Sequence, residues 1–222
     1  MRRLVQWYGQ VTMLINRHMG LGLSKSLVSL LQLGLVLSLC ACTPQYDWRT
    51  VRAEQQAYTA LFPAKPQHLE RQINYLGTNF NQALEVVKVA DNIYSITTIQ
   101  VPPNLISSAT GLIAQLKQAI FSQALLDIAQ PTAVEGFYKL ANSPIRIPTE
   151  DYFLLMKPID GVNRVMRVRW IMRNTPGLGL QIYQQSLLMP FPKNSDSINS
   201  VALLSRLYDD NASPFFADFH PD

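Results

Sequence analysis

Arg164-Val165-Met166-Arg167-Val168-Arg169-Trp170-Ile171-Met172-Arg173 alternates with a period of two residues. A strand sends successive side chains to opposite faces. Met166, Val168, Trp170 and Met172 therefore share one face, and Arg167, Arg169 and Arg173 share the other with Ile171. The apolar face is expected on a core and the arginine face in water, since antiparallel sheets commonly have one solvated side. An exposed row of guanidinium groups can receive a carboxylate or phosphate through paired hydrogen bonds. Arg167, Arg169 and Arg173 are thus the candidate partner surface, with Arg164 beside them. The plainer reading is a solvated sheet face with acids on neighbouring strands.

Outward from that strand the chain continues as β-structure. Downstream, the loop Pro176-Gly177-Leu178-Gly179 leads into Leu180 to Met189, which pairs back and is stopped by Pro190 and Pro192. Upstream, Asp160-Gly161 makes a turn. Before it, Ile145-Arg146-Ile147 and Tyr152 to Lys157 flank Pro148 as one broken strand or two short ones. Tyr58 to Phe62 reads as a strand stopped by Pro63 and Pro66, and Leu69 to Tyr75 alternates in part. Gly77-Thr78-Asn79 is turn chemistry, and Asp91-Asn92 joins Ala83–Ala90 to Ile93–Val101 as a hairpin.

Two stretches have helical spacing. After Ser107 or Ser108 as cap, Ile113, Leu116, Ile120, Ala124 and Ile128 recur on one side until Pro131. That stripe suits packing on a sheet, and it lacks the basic rim of a membrane-surface helix. Ser195-Asp196 caps a last helix whose stripe is Ile198, Val201, Leu203, Leu204 and Leu207. Pro214-Phe215-Phe216 and Phe219 form an aromatic tail that packs back. The expected fold class is α+β, an antiparallel β-sheet packed by two main helices. The order is β-hairpins, helix, β-meander and C-terminal helix, in a single domain over residues 57–222.

The start of the chain has another character. Arg17, His18 and Lys25 precede an uncharged Leu/Val-rich run from Ser26 to Ala41. The run falls short of the ~20 residues of a spanning helix. A basic front and a small-residue end make it a secretory signal core, and an uncleaved short transmembrane anchor is the rival reading. Residues 1–18 read as an extended basic region or as a start placed too early, with Met19 or Met13 as the true one. Leu39-Cys40-Ala41-Cys42 resembles the lipobox of bacterial lipoproteins. The resemblance implies cleavage after residue 41, acylation of Cys42 and a lipidated tether over 42–56. Thr43 is not the Asp that this family links to inner-membrane retention, so the implied location is the periplasmic side of the outer membrane. Each buried CH₂ adds about 0.8 kcal/mol of membrane affinity, so three chains hold the protein there for good.

Composition then narrows the function. Arg2, Arg3, Arg17 and Lys25 all precede Cys42, whereas all 15 Asp+Glu follow it, so the pI near 9.1 belongs to the leader. The part after Cys42 is formally neutral and lacks the concentrated basic footprint of a nucleic-acid binder. Both cysteines lie at the leader's end, so that part has no thiol nucleophile, disulfide or zinc–thiolate site. His68 and His220 are its only histidines and read as solvated loop residues. No His-based nucleophile and no metal-ligand spacing is evident. Glu150-Asp151 are adjacent, so on a strand they point apart. Trp48 is expected to pack on its own domain.

The strand Tyr58-Thr59-Ala60-Leu61-Phe62 with Pro63-Ala64-Lys65-Pro66 after it, and the Leu180–Met189 strand followed by a helix, weakly resemble the PsbP-like family, including the DcrB lipoproteins. That resemblance implies an antiparallel sheet with helices against it and an accessory binding role without catalytic residues. The expectation is a lipid-anchored, periplasm-facing accessory or binding protein with no cofactor or metal, a membrane contact through Cys42, and a protein partner. The alternatives are a carrier of lipid or another apolar ligand, marked by a large apolar cavity, and an enzyme without a recognisable motif, marked by a cleft with convergent polar groups.

Overall fold

The computed structural model describes residues 45–125, 134–139, 144–159, 161–175, 177, 179–190, 205, 207 and 213–221. Gln45–Asp222 forms one compact unit. Its strands are β1 (Arg49–Ala53), β2 (Tyr58–Phe62), β3 (Gln67–Tyr75), β4 (Thr78–Val89), β5 (Asn92–Val101), β6 (Val134–Lys139), β7 (Arg146–Ile159), β8 (Val162–Thr175), β9 (Gly179–Pro190) and β10 (Phe219–Pro221). The helices are α1 (Ala109–Phe121) and the short α2 (Ser213–Ala217). Seven strands form an antiparallel sheet in the order β3-β4-β5-β9-β8-β7-β6, and β1-β2-β10 form a second one.

The fold is therefore mostly β, with two antiparallel sheets, and the expected α+β sheet with two main helices is not what forms. Among the described residues only α1 is a helix of more than two turns. The helix expected after Ser195 lies largely outside the described residues, although Ser205 and Leu207 are helical and Leu207 is buried. Besides β6, the element missed from sequence is the small sheet. Its strands come from opposite ends of the chain, Phe219↔Ala60 and Pro221↔Tyr58 being paired, and no local periodicity encodes such a pairing. β1 also falls within the expected tether, where Trp48 stacks near Tyr46 and meets Tyr94 edge-on.

Both faces of the large sheet are covered. The small sheet and α2 bury one face through Tyr58, Phe62, Phe215 and Phe219, which pack on Tyr94, Tyr183 and Leu187. Helix α1 covers the other through Leu112 and Ile113, against Ile99, Trp170 and Ile182. Each large apolar side chain so buried contributes about 1.5–3 kcal/mol. Helix α1 stops at Phe121, earlier than its stripe suggests. Ser122 Oγ donates to the Ala119 carbonyl, and Lys157 Nζ donates to the Ser122 carbonyl, satisfying open acceptors at the helix end. Ala124 then bridges to Met156, and Ile128 lies outside the described residues.

Gly161 is a turn residue as expected, whereas two other hairpins turn one residue before the expected positions. Tyr75↔Thr78 pairing leaves Leu76-Gly77 as the turn, with φ of 49° and 80°. Val89↔Asn92 leaves Ala90-Asp91, with Ala90 at φ 52°. Two positive φ values mark a type I′ turn, which favours Asn-Gly. Leu76 pays for this conformation while 83% exposed. Leu76→Asn is expected to raise the urea midpoint, with a gain of about 1 kcal/mol, and an unchanged or lower midpoint would contradict the turn.

Candidate binding cleft

The arginine row of β8 is not a surface. Arg167, Arg169 and Arg173 occupy the face that the small sheet and α2 cover, because Phe215, Phe216 and Leu187 fill that side. Asp151 on β7 lies opposite Arg169 in register. Arg167 donates to Asp151 Oδ2 from Nε (3.0 Å) and Nη2 (2.7 Å). Arg169 donates to Oδ1 from Nε (2.6 Å), to Oδ2 from Nη2 (3.0 Å), and to the Phe216 carbonyl from Nη1 (2.8 Å). The Arg167 guanidinium lies 3.9 Å from the Phe216 ring centroid. Side-chain exposure is 7% for Arg167, 6% for Asp151 and 19% for Arg169. The expected partner surface is thus an internal ion cluster that ties β7, β8 and α2 together. Arg173 is half-buried, with Nη1 out of contact with solvent. Glu150 points the opposite way from Asp151, as adjacency requires, and pairs with Lys117 of α1 at 2.5 Å.

His68 and His220 stand in strands rather than loops, and their side chains remain solvated, 46% and 45% exposed. His220 on β10 bonds Tyr138 through Nδ1 and Asp218 through Nε2 (2.7 Å). Burial pushes the Tyr138 hydroxyl up to about 12, which leaves it protonated and a poor nucleophile near neutral pH. His68 on β3 is held between two carboxylates, with Nδ1 at 2.7 Å from Glu85 and Nε2 at 3.1 Å from Glu70. The buried Tyr58 hydroxyl donates to the other Glu85 oxygen at 2.8 Å. Hydrogen bonds to Glu85 first and Glu70 second raise the His68 pKa above its ordinary 6.5, against a smaller opposing effect of burial. The stabilisation from this is fully present below about pH 6.5 and is lost as pH rises through the folded-state value. Thermal denaturation between about pH 6 and pH 9 is expected to show falling stability in the native protein, and a flatter profile in His68→Asn. Identical profiles would refute the His68 contribution.

Beside this network, β3, β4 and β5 form one wall of a cleft of about 410 Å³, joined by β9. The turn after β1 overhangs it with Gln55 and Gln56. Tyr183 fixes that turn, its hydroxyl reaching the carbonyls of Gln56 (3.1 Å) and Ala57 (2.8 Å). Gln72, Asn81, Gln100 and Gln181 add carboxamides to the wall, and Thr98 adds a hydroxyl. Among the described residues, Gln181 Oε1 and Thr98 Oγ1 are buried without a hydrogen-bond partner, with Gln181 2% and Thr98 4% exposed. The two charged side chains of the lining already have partners, Glu70 in His68 and Arg71 in Gln82. A wider cleft of about 690 Å³ shares Gln55 and Gln56 and reaches His68 and Glu85.

Carboxamides neither take up nor release protons near neutral pH, and each offers donors and an acceptor. Both ring nitrogens of His68 are engaged by carboxylates. The cleft is therefore equipped to hold a ligand by hydrogen bonds. Among the described residues no group of His, Cys, Asp and Glu is arranged to hold a metal ion. Sequence reading missed the cleft because its residues come from four separate strands and a turn. The available signal was glutamine at strand positions where apolar residues are usual. No protein-family model matches the chain, and no curated protein is similar to it in sequence.

Proposed function

We propose that this is a lipid-anchored, periplasm-facing accessory protein of the bacterial cell envelope that binds a polar ligand without transforming it. Two features support the reading, one for each half. Leu39-Cys40-Ala41-Cys42 has the pattern of an acylation site, and the compact unit begins at Gln45, close behind it. The observation that carries the binding role is the carboxamide-lined cleft with two buried, unpaired polar oxygens. Native proteins pair nearly all such atoms, so exceptions point to a ligand or ordered solvent. A carrier of apolar ligands is disfavoured by the same geometry. Helix α1 meets the sheet through a layer of buried apolar side chains, and Ala83 is the only apolar residue lining the 410 Å³ cleft among the described residues.

Intact-mass and native mass spectrometry of protein extracted from membranes test both halves. The expected product begins at Cys42 and carries three acyl chains. It retains a small-molecule adduct that Gln181→Leu loses. Cys42→Ala is expected to shift the protein from the membrane to the soluble periplasmic fraction. An unmodified polypeptide that keeps its leader would overturn the anchor. Absence of any adduct, with equal stability of the two chains, would overturn the binding role.

A further inference from the structure

We infer that the cleft beneath the Gln55-Gln56 turn is a site for a neutral saccharide segment, an inference that rests on the binding role above and gives it a ligand class. Four observations lead there. First, Gln181 Oε1 can only accept a hydrogen bond, and it is buried, unpaired and in the wall. Its ligand must bring an O–H or N–H donor. A fully ionised anion such as sulfate offers acceptors alone and would oppose that oxygen, and phosphate, with one or two O–H donors near neutral pH, would still set its negative charge against it. Second, the lining carries one carboxylate and one guanidinium, so it has no net charge to recognise an ion. Glu70 is bonded to His68, and Arg71 is bonded to Gln82. A bare cation would also face the N–H groups of the surrounding carboxamides. Third, Gln55, Gln56, Gln72 and Asn81 repeat a side chain with donor and acceptor side by side. Neighbouring hydroxyls on a sugar ring, each both donor and acceptor, complement that repeat. Thr98 Oγ1 can then accept from, or donate to, the same ring. Fourth, a peptide carries one backbone donor and one acceptor per residue and needs recesses for its side chains. The only apolar residue lining the cleft among the described residues is Ala83.

The site is also preorganised, which limits the entropy lost on binding. The overhanging turn is held by Tyr183 at two carbonyls, and the floor is paired sheet, with Gln100 opposite Gln181 in register.

Isothermal titration calorimetry on the full lipoprotein, held in a detergent without a sugar headgroup, tests the inference. The probes are maltose, N,N′-diacetylchitobiose, triglycine and inorganic phosphate. Saturable binding of at least one disaccharide is expected, with no heat from triglycine or phosphate. Gln181→Leu is expected to weaken that binding about tenfold or more, the loss of one well-placed hydrogen bond. Gln72 is exposed on β3, so Gln72→Ala keeps the fold and is expected to weaken binding about three- to tenfold. Disaccharide binding unaffected by either variant would overturn the site. Binding of triglycine or phosphate alone would overturn the ligand class while leaving the binding role standing. No heat from any probe would overturn the saccharide inference. If the membrane-extracted protein also lacks an adduct, the binding role falls with it.

Discussion

Asp151→Ala is expected to lower the unfolding free energy by about 3–5 kcal/mol, because it strands two guanidinium groups inside the protein. One carboxylate now answers both Arg167 and Arg169, through four hydrogen bonds of 2.6–3.0 Å. Removing it leaves charge in a place from which water is largely excluded. Breaking such a pair from one side costs far more than the pair's net contribution. Arg167→Met is the informative contrast. It leaves Asp151 paired with Arg169 and puts an apolar chain against Phe216 and Phe153, so its cost is expected at about 1 kcal/mol or less. Urea denaturation of the two variants measures the difference. A loss below about 1 kcal/mol for Asp151→Ala would mean that water reaches this cluster.

Phe215→Ala is expected to cost about 3–5 kcal/mol by the same measurement. Phe215 is fully buried. Its ring meets Phe62 at 5.4 Å, Tyr94 at 5.4 Å and Phe216 at 5.2 Å, so truncation opens a cavity where β2, β5 and α2 converge. The Phe215 carbonyl also accepts from Gln185 Nε2 at 3.2 Å, which ties the segment to β9. Since α2 delivers β10 to the small sheet, the C-terminal residues should become accessible to protease in this variant. Phe137→Ala is the control. Phe137 is 67% exposed on β6, and its replacement is expected to stay within about 0.5 kcal/mol. Equal effects at the two positions would refute the packing of the tail.

The expected strands were read with fair success because their signals are local. Tyr58–Phe62 forms as expected, and the Pro residues after it end it. Leu180–Met189 lies within β9, and the two segments around Pro148 are one strand, β7. Turns were placed less well. Leu76-Gly77 and Ala90-Asp91 use a leucine and an alanine in the left-handed region, where sheet pairing on either side overrides the residues' own preference. β6 gave no usable signal, and α1 ends at Phe121, where Lys157 of β7 takes the Ser122 carbonyl just beyond it. The aromatic tail was expected to pack back, and it does so as α2 and a strand.

Alternation along Arg164–Arg173 was enough to make that stretch a strand and to divide its side chains between two faces. Glu150 and Asp151 were likewise bound to point apart. Which face meets water was beyond local pattern. The arginine face is buried because Asp151 arrives from the neighbouring strand and Phe216 from the far end of the chain, and together they offset the cost of dehydrating two cations. The same holds for the cleft. Each glutamine is an ordinary polar residue in its own strand, and only sheet pairing with the overhanging turn gathers them around two unpaired oxygens. Periodicity acts over neighbouring residues, whereas burial and ligand chemistry depend on residues that folding alone brings together.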